Sequence, residues 1–159
     1  SGGGEAPPAL DFVTLSFARG GSHITKNPKL FEGKRVLEVG TGLGFAGLVC
    51  AVCTDVAYLE LTDGDPEVLR TLHASRTMNA DKFGSSQVVL RKLCWNEQKH
   101  WPERASFDII FGADVGYRDE FHGGLIRMVM HVLRPGGTFL LLASKRCGSL
   151  DRFVLGITL

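Results

Sequence analysis

A chain of 159 residues with 44% hydrophobic and 22% charged content fits one ordinary globular domain, long enough to bury roughly two-thirds of the surface its unfolded form exposes. A formal net charge of +1 lacks the broad basic surplus that most nucleic-acid binders carry, so nucleic acid is disfavoured as a partner. No apolar run approaches the ~18–20 residues needed to cross a bilayer, and the amino terminus lacks a basic-then-apolar leader pattern, so no membrane association is expected and a cytoplasmic location is, with the nucleus also compatible.

Ser1 to Gly4 read partly as an expression scar, and residues 1–22 as an amino-terminal extension to a domain spanning 23–159. Within the extension, a Pro7-Pro8 break and Gly20-Gly21 enclose the apolar residues Leu10, Phe12, Leu15 and Phe17. That pattern suits either a strand at the domain edge or a segment facing substrate. A short helix or turn over His23–Phe31 leads to the turn Glu32-Gly33-Lys34, which launches a buried strand at Val36.

Val36 to Gly47, VLEVGTGLGFAG, organises the chain. Gly40, Gly42 and Gly44 let the backbone turn sharply and approach a ligand without side-chain obstruction, and a helix follows over Phe45–Thr54. Strand, glycine loop and helix together form a nucleotide-cofactor cradle, with backbone N–H groups and the positive helix end facing the ligand. Gly42-x-Gly44-x-x-Gly47 also satisfies the dinucleotide fingerprint, with Asp63 about 20 positions further on. Glu38 argues for a different ligand: a carboxylate there would repel a pyrophosphate yet suit a cation such as S-adenosylmethionine. Cys50-x-x-Cys53 has the spacing of a redox pair but falls inside an apolar helix, which predicts core packing.

A second strand, Val56–Thr62, delivers Asp63 where a ribose would lie in a parallel sheet. Asp65 competes for that role, but Asp65-Pro66 also fits a helix N-cap and first position. The helix from Pro66 to about Asn79 places Val68, Leu69, Leu72 and Met78 on one face, to cover the sheet. A third strand, Gln87–Leu93, ends at Cys94-Trp95, so Trp95 either contacts cofactor or closes the core as a rim aromatic. Asn96–Ala105 is a polar surface loop or ragged helix, and its His and Cys spacings match no zinc pattern, so no metal site is expected. Phe107–Ala113 is an apolar central strand that delivers Asp114. A helix over Asp119–Leu133, a turn at Arg134-Pro135-Gly136-Gly137 and a fifth strand over Thr138–Ala143 follow. The alternation implies a parallel sheet with helices on both faces.

Glu38 to Gly44, Asp63, Leu93-Cys94-Trp95, Asp114-Val115-Gly116-Tyr117 and Leu133-Arg134-Pro135-Gly136-Gly137, in that order, resemble the class I, seven-strand S-adenosylmethionine-dependent methyltransferases over roughly residues 30–150. Asp114-x-x-Tyr117 after DIIFGA looks like the acidic-x-x-aromatic motif of the family 16 protein-lysine methyltransferases. Within that branch TDGDPEVLRTL, FDIIFGAD and SKRCGSLDRF resemble the calmodulin-lysine group, and NPKLFEGKRVLEVGTGLGFAGL equally resembles the elongation-factor-2-lysine group.

The resemblance implies an α/β, Rossmann-like, doubly wound fold and S-adenosylmethionine as cofactor. It places Glu38, Gly40, Gly42, Gly44, Asp63, Trp95 and Asp114 at the cofactor, and Asp114 with Tyr117 in a lysine channel as catalytic residues. It implies a protein substrate, and a monomer is expected. Cys94 stands where many members carry Asp, and residues 9–27 lack the usual Trp-Pro motif. Two rival readings are a class I enzyme acting on a small molecule or nucleic acid, against which the absence of Asn-Pro-Pro-Tyr counts, and a non-catalytic binding domain. Only about 16 residues follow Ala143, of which Val154–Leu159 fit a last strand, so the sheet is expected to be incomplete at its carboxyl-terminal end.

Overall fold

The computed structural model describes residues 12–16, 20–115 and 118–142. In chain order these form β1 (Phe12–Ser16), α1 (Gly20–Lys26), β2 (Arg35–Val39), α2 (Phe45–Cys53), β3 (Tyr58–Asp63), α3 (Pro66–Met78), β4 (Gln87–Lys92), β5 (Phe107–Ala113), α4 (His122–Val132) and β6 (Leu133–Leu142). The six strands make one sheet in the order β1-β6-β5-β2-β3-β4, and every neighbouring pair runs parallel. A parallel strand covered on both faces must be apolar along its length rather than alternating, and the central strands meet that demand. Val36, Leu37 and Val39 of β2 and Ile110 and Phe111 of β5 are all 0% exposed.

Two apolar clusters pack against opposite sides of the sheet. Ile24 of α1, Ala46, Cys50 and Ala51 of α2 and Leu72 of α3 join Val36, Leu59, Leu61 and Phe111 in one. Leu125, Met128, Val129 and Val132 of α4 join Leu37, Val39, Ile110 and Phe139 in the other. The division follows from handed crossovers: β2-α2-β3-α3-β4 steps one way across the sheet and β5-α4-β6 the other, so right-handed connections put their helices on opposite faces. The strand order reverses between β2 and β5, which opens a crevice beyond their carboxyl ends.

Several elements differ from the sequence reading. Phe12–Ser16 pairs along β6, with Phe12 opposite Thr138 and Ser16 opposite Leu142, so of the two readings of this segment the edge strand is the one the structure shows. Val56 makes an isolated antiparallel bridge with Glu32, so β3 starts only at Tyr58. Helix α3 buries Leu72 but leaves Met78, its last residue, 79% exposed. Asp119–Phe121 is a separate 3₁₀ turn ahead of α4. The Arg134–Gly137 segment loops out inside β6: Phe107 faces Leu133 while Ile109 already faces Thr138. Gly136 takes φ 73° there, and Arg134 ties the bulge down by donating to Asp108 at 2.7 Å. Tyr117, Cys147 and the expected last strand Val154–Leu159 lie outside the described residues. Among the described residues no helix is long and apolar enough to cross a membrane.

Candidate functional site

The crevice at the strand reversal is a cavity of about 670 Å³, whose wall includes Gly40, Gly42, Asp63, Trp95, Asp114 and Val115. Its size suits a drug-sized or nucleoside-sized ligand. Each wall residue follows the carboxyl end of a strand: the glycines after β2, Asp63 closing β3, Trp95 after β4 and Asp114 after β5.

The glycine loop is held from two sides. Thr41 N–H donates to Thr62 O at 2.8 Å, the Thr62 hydroxyl donates to Glu38 O at 2.6 Å, and Gly42 N–H donates to Asp63 Oδ2 at 3.1 Å. The three glycines then differ in what their missing Cβ allows. At Gly40, φ +61°, a Cβ would lie 2.7 Å from Val115 Cγ1, and at Gly44, φ +77°, it would run into Leu72 Cδ1, whereas at Gly42, φ +54°, it would meet nothing within 4 Å. Gly40 and Gly44 therefore admit close packing, while Gly42 presents bare backbone to open space. All three need the left-handed conformation that glycine adopts without strain.

Asp65 takes the capping role expected of it, and Asp63 lies on the cavity wall. Asp65 caps α3, its Oδ1 accepting from Glu67 N–H at 2.9 Å. Asp63 Oδ1 accepts from Asp65 N–H at 3.0 Å. Each carboxylate oxygen of Asp63 thus receives one backbone amide and keeps a second lone pair for a ligand. Trp95 packs against the α4-side cluster and also lines the cavity. The edge of Phe121 meets its ring at 6.1 Å and 86°, and Trp101 Nε1 donates to its carbonyl at 3.1 Å.

Glu38 is placed differently from the sequence argument. It is 1% exposed and lies beneath the loop, where its Oε2 accepts from the Thr41 hydroxyl at 2.6 Å and its carboxylate also takes the Gly47 N–H. Strand alternation sends Glu38 to the α2 side with Val36, so it braces the loop and the first turn of α2. Burial pushes its carboxyl up to about 8 against the hydrogen bonds from Thr41 and Gly47. A group that is mostly neutral at pH 7 does not select a cationic ligand by charge. The redox-like pair also divides: Cys50 is buried and Cys53 exposed. Burial raises the Cys50 thiol to about 12.

Asp114 is exposed on the wall and adopts φ 57°, a left-handed conformation that Asp tolerates better than most side chains. This turn folds Val115 back into the space left by two glycines, since Cβ atoms on Gly40 and Gly112 would lie 2.7 and 2.6 Å from its methyl groups. Sequence reasoning did not single out Val115, Phe121 or Asn96. For Asn96 the signal was Gly124 in α4, where a Cβ would collide with the Asn96 carbonyl oxygen.

The residues on the wall suit S-adenosylmethionine on one structural observation in particular: Gly42 offers open backbone beside an Asp63 carboxylate whose orientation is fixed by two amides. A family model described as lysine methyltransferase matches residues 13–158. The calmodulin-lysine N-methyltransferase of Arabidopsis thaliana is 34% identical over 129 residues, covering 80% of this chain and 42% of that protein. METTL21A, a protein N-lysine methyltransferase of Danio rerio, is 32% identical over 72% of this chain and 50% of its own length. The chain thus spans half or less of these curated relatives. Among solved structures, the YcgJ protein of Bacillus subtilis superposes with a TM-score of 0.63 at 21% identity, over 77% of this chain and 49% of that one. An S-adenosylmethionine-dependent methyltransferase from Mesorhizobium loti does so with a TM-score of 0.55 at 20% identity, over 70% and 47%. Both likenesses concern the fold.

Proposed function

Because the chain belongs to the lysine methyltransferase family, we propose that it transfers a methyl group from S-adenosylmethionine to the side-chain amine of a lysine in a protein substrate. The observation that carries this reading is the meeting of Gly40, Gly42, Asp63, Trp95 and Asp114 on one cavity at the strand reversal. When bound, the cofactor supplies an electrophilic methyl group on a sulfonium sulfur. Everything else falls to the chain. Backbone at Gly42 and the free lone pairs of Asp63 hold the nucleoside, the ribose hydroxyls donating to the carboxylate. Trp95 offers an aromatic face to the adenine or the methionine part.

A lysine with an ordinary pKa of ~10.4 is almost wholly protonated at neutral pH, and only the neutral amine has a lone pair to direct at the methyl carbon. On this reading Asp114 accepts a hydrogen of that amine and aims the lone pair, and an aromatic side chain such as that of Tyr117 is the chemistry suited to the ammonium that forms. With the cofactor in place the amine would take its methyl group, the sulfur would leave as a neutral thioether and the surplus proton would pass to solvent.

Calmodulin is the first protein to try, on the 34% identity to its Arabidopsis methyltransferase. The test incubates the chain with methyl-labelled S-adenosylmethionine and either calmodulin or cell lysate separated afterwards into protein, nucleic-acid and small-molecule fractions. Label in the protein fraction, on lysine, is expected. Label confined to the other fractions would select the rival substrate class, and S-adenosylhomocysteine binding with no label anywhere would select a binding domain.

A further inference from the structure

The segment after β4 carries Cys94, Glu97 and His100 at intervals of three residues. Glu97 N–H donates to Cys94 O at 3.1 Å, His100 N–H to Glu97 O at 2.9 Å and Trp101 N–H to Gln98 O at 3.0 Å, so the backbone winds in three-residue turns that end in the 3₁₀ turn Gln98–His100. Glu97, which joins the two turns, is itself extended at φ −117° and ψ 92°. Across this bend the thiol, the carboxylate and the imidazole converge, with their donor atoms all within 4.8 Å of one another.

Two further observations point to an ion. His100 Nδ1 is buried with no hydrogen-bond partner, a costly state for a ring nitrogen. It stands 3.6 Å from Glu97 Oε2, too far for a good hydrogen bond. Two ligand atoms held about 2.0–2.1 Å from one tetrahedral ion sit roughly 3.4 Å apart, so this gap nearly fits a shared metal. A thiolate, a carboxylate and a neutral imidazole sum to two negative charges, matching one divalent ion, and the mixed S, O and N set suits zinc.

We propose that Cys94, Glu97 and His100 form a three-ligand site for a zinc-class divalent ion, with the fourth position open toward the cavity that Cys94 and Glu97 help to line. Its internal competitor is Lys99, whose Nζ lies 3.0 Å from Glu97 Oε2 and must yield the carboxylate when the ion binds. The inference does not depend on the methyltransferase reading.

The reduced chain is titrated with Zn²⁺ against a chromophoric chelator, and separately with Co²⁺ to observe the thiolate-to-cobalt absorption band. One equivalent should bind. Cys94→Ser should abolish the band, and Glu97→Gln and His100→Gln should each weaken Zn²⁺ binding by about 10-fold or more, at least the loss seen when a metal's supporting groups are removed. Lys99→Ala should tighten binding, and Cys53→Ser should change nothing. Glu97 is exposed, so Glu97→Gln leaves the packing untouched and remains informative if another variant fails to fold. Absence of stoichiometric binding, binding that persists in both Glu97→Gln and His100→Gln, or a thiolate band that follows Cys53 would each overturn the site.

Discussion

Asp114, to which the proposed function gives the orientation of the lysine, follows β5 in a left-handed backbone conformation. Its φ of 57° would cost most side chains ~1–2 kcal/mol, and Asp is among the few that enter this region routinely. Asp114→Ala is expected to cut methyl transfer by ~10²-fold or more, the scale of a positioned catalytic group, while S-adenosylhomocysteine affinity stays nearly unchanged. Gly42→Arg should do the reverse, since its side chain would fill the open space beside the loop. Calorimetric titration of both folded variants separates these roles, and loss of cofactor binding in Asp114→Ala would move Asp114 into the cofactor site. Glu38 gives a second residue-scale expectation. Its carboxyl stands at about 8 in the fold against an ordinary 4.5, so between those values the folded chain holds a proton that the unfolded chain releases. Glu38 therefore lowers stability progressively as pH rises through that window. Glu38→Gln keeps the acceptor for Thr41 and Gly47 and removes the titration. Thermal melts should show the variant gaining on the parent as pH rises from about 5 to about 8, and a constant difference would contradict the buried placement.

At the scale of elements, the end of β3 and the start of α3 share labour between two carboxylates two residues apart. Asp65 serves the helix, and its replacement by Ala should cost ~1 kcal/mol of stability through the lost cap while leaving cofactor affinity in place. Asp63 braces the loop, and the proposed function also gives it the ribose. Asp63→Ala frees the Gly42 and Asp65 amides and removes a charged acceptor, for which ~1.5–3 kcal/mol per hydrogen bond corresponds to at least about 10-fold in S-adenosylhomocysteine affinity. Paired chemical denaturation and binding measurements check both, and the opposite pattern would assign the ribose to Asp65. The glycine loop is coupled to α3 through Gly44, where even a methyl group would collide with Leu72.

Across the whole molecule, stability is expected to grade outward from the strand reversal. β2 and β5 have neighbours on both sides and apolar cover on both faces, whereas β4 lies at an edge with only Val88 well buried among its six residues. Native-state hydrogen exchange should therefore show the slowest amides in β2 and β5 and faster exchange in β4. The site gains from this gradient, because the loops after β2 and β5 carry Gly42 and Asp114 from the most rigid part of the sheet.

Legible in the sequence were the parallel α/β plan, the strand Phe107–Ala113 to the residue, the glycine loop and the Asp65 cap, because each depends on local pattern: apolar runs, glycines at forced turns and an Asp-Pro helix start. Glu38 could not be read the same way. Its motif position is local, but its burial against α2, and with it the loss of charge at neutral pH, comes from packing between elements distant in the fold. The same holds for Val115 seated between Gly40 and Gly112, and for Phe12–Ser16, whose short apolar alternation becomes a strand only because β6 offers an open edge. Cys94, Glu97 and His100 matched no metal pattern in sequence, and they meet because two successive turns hinge at an extended Glu97. Tertiary structure decided these points because burial, charge state and side-chain convergence depend on which surfaces the fold brings together.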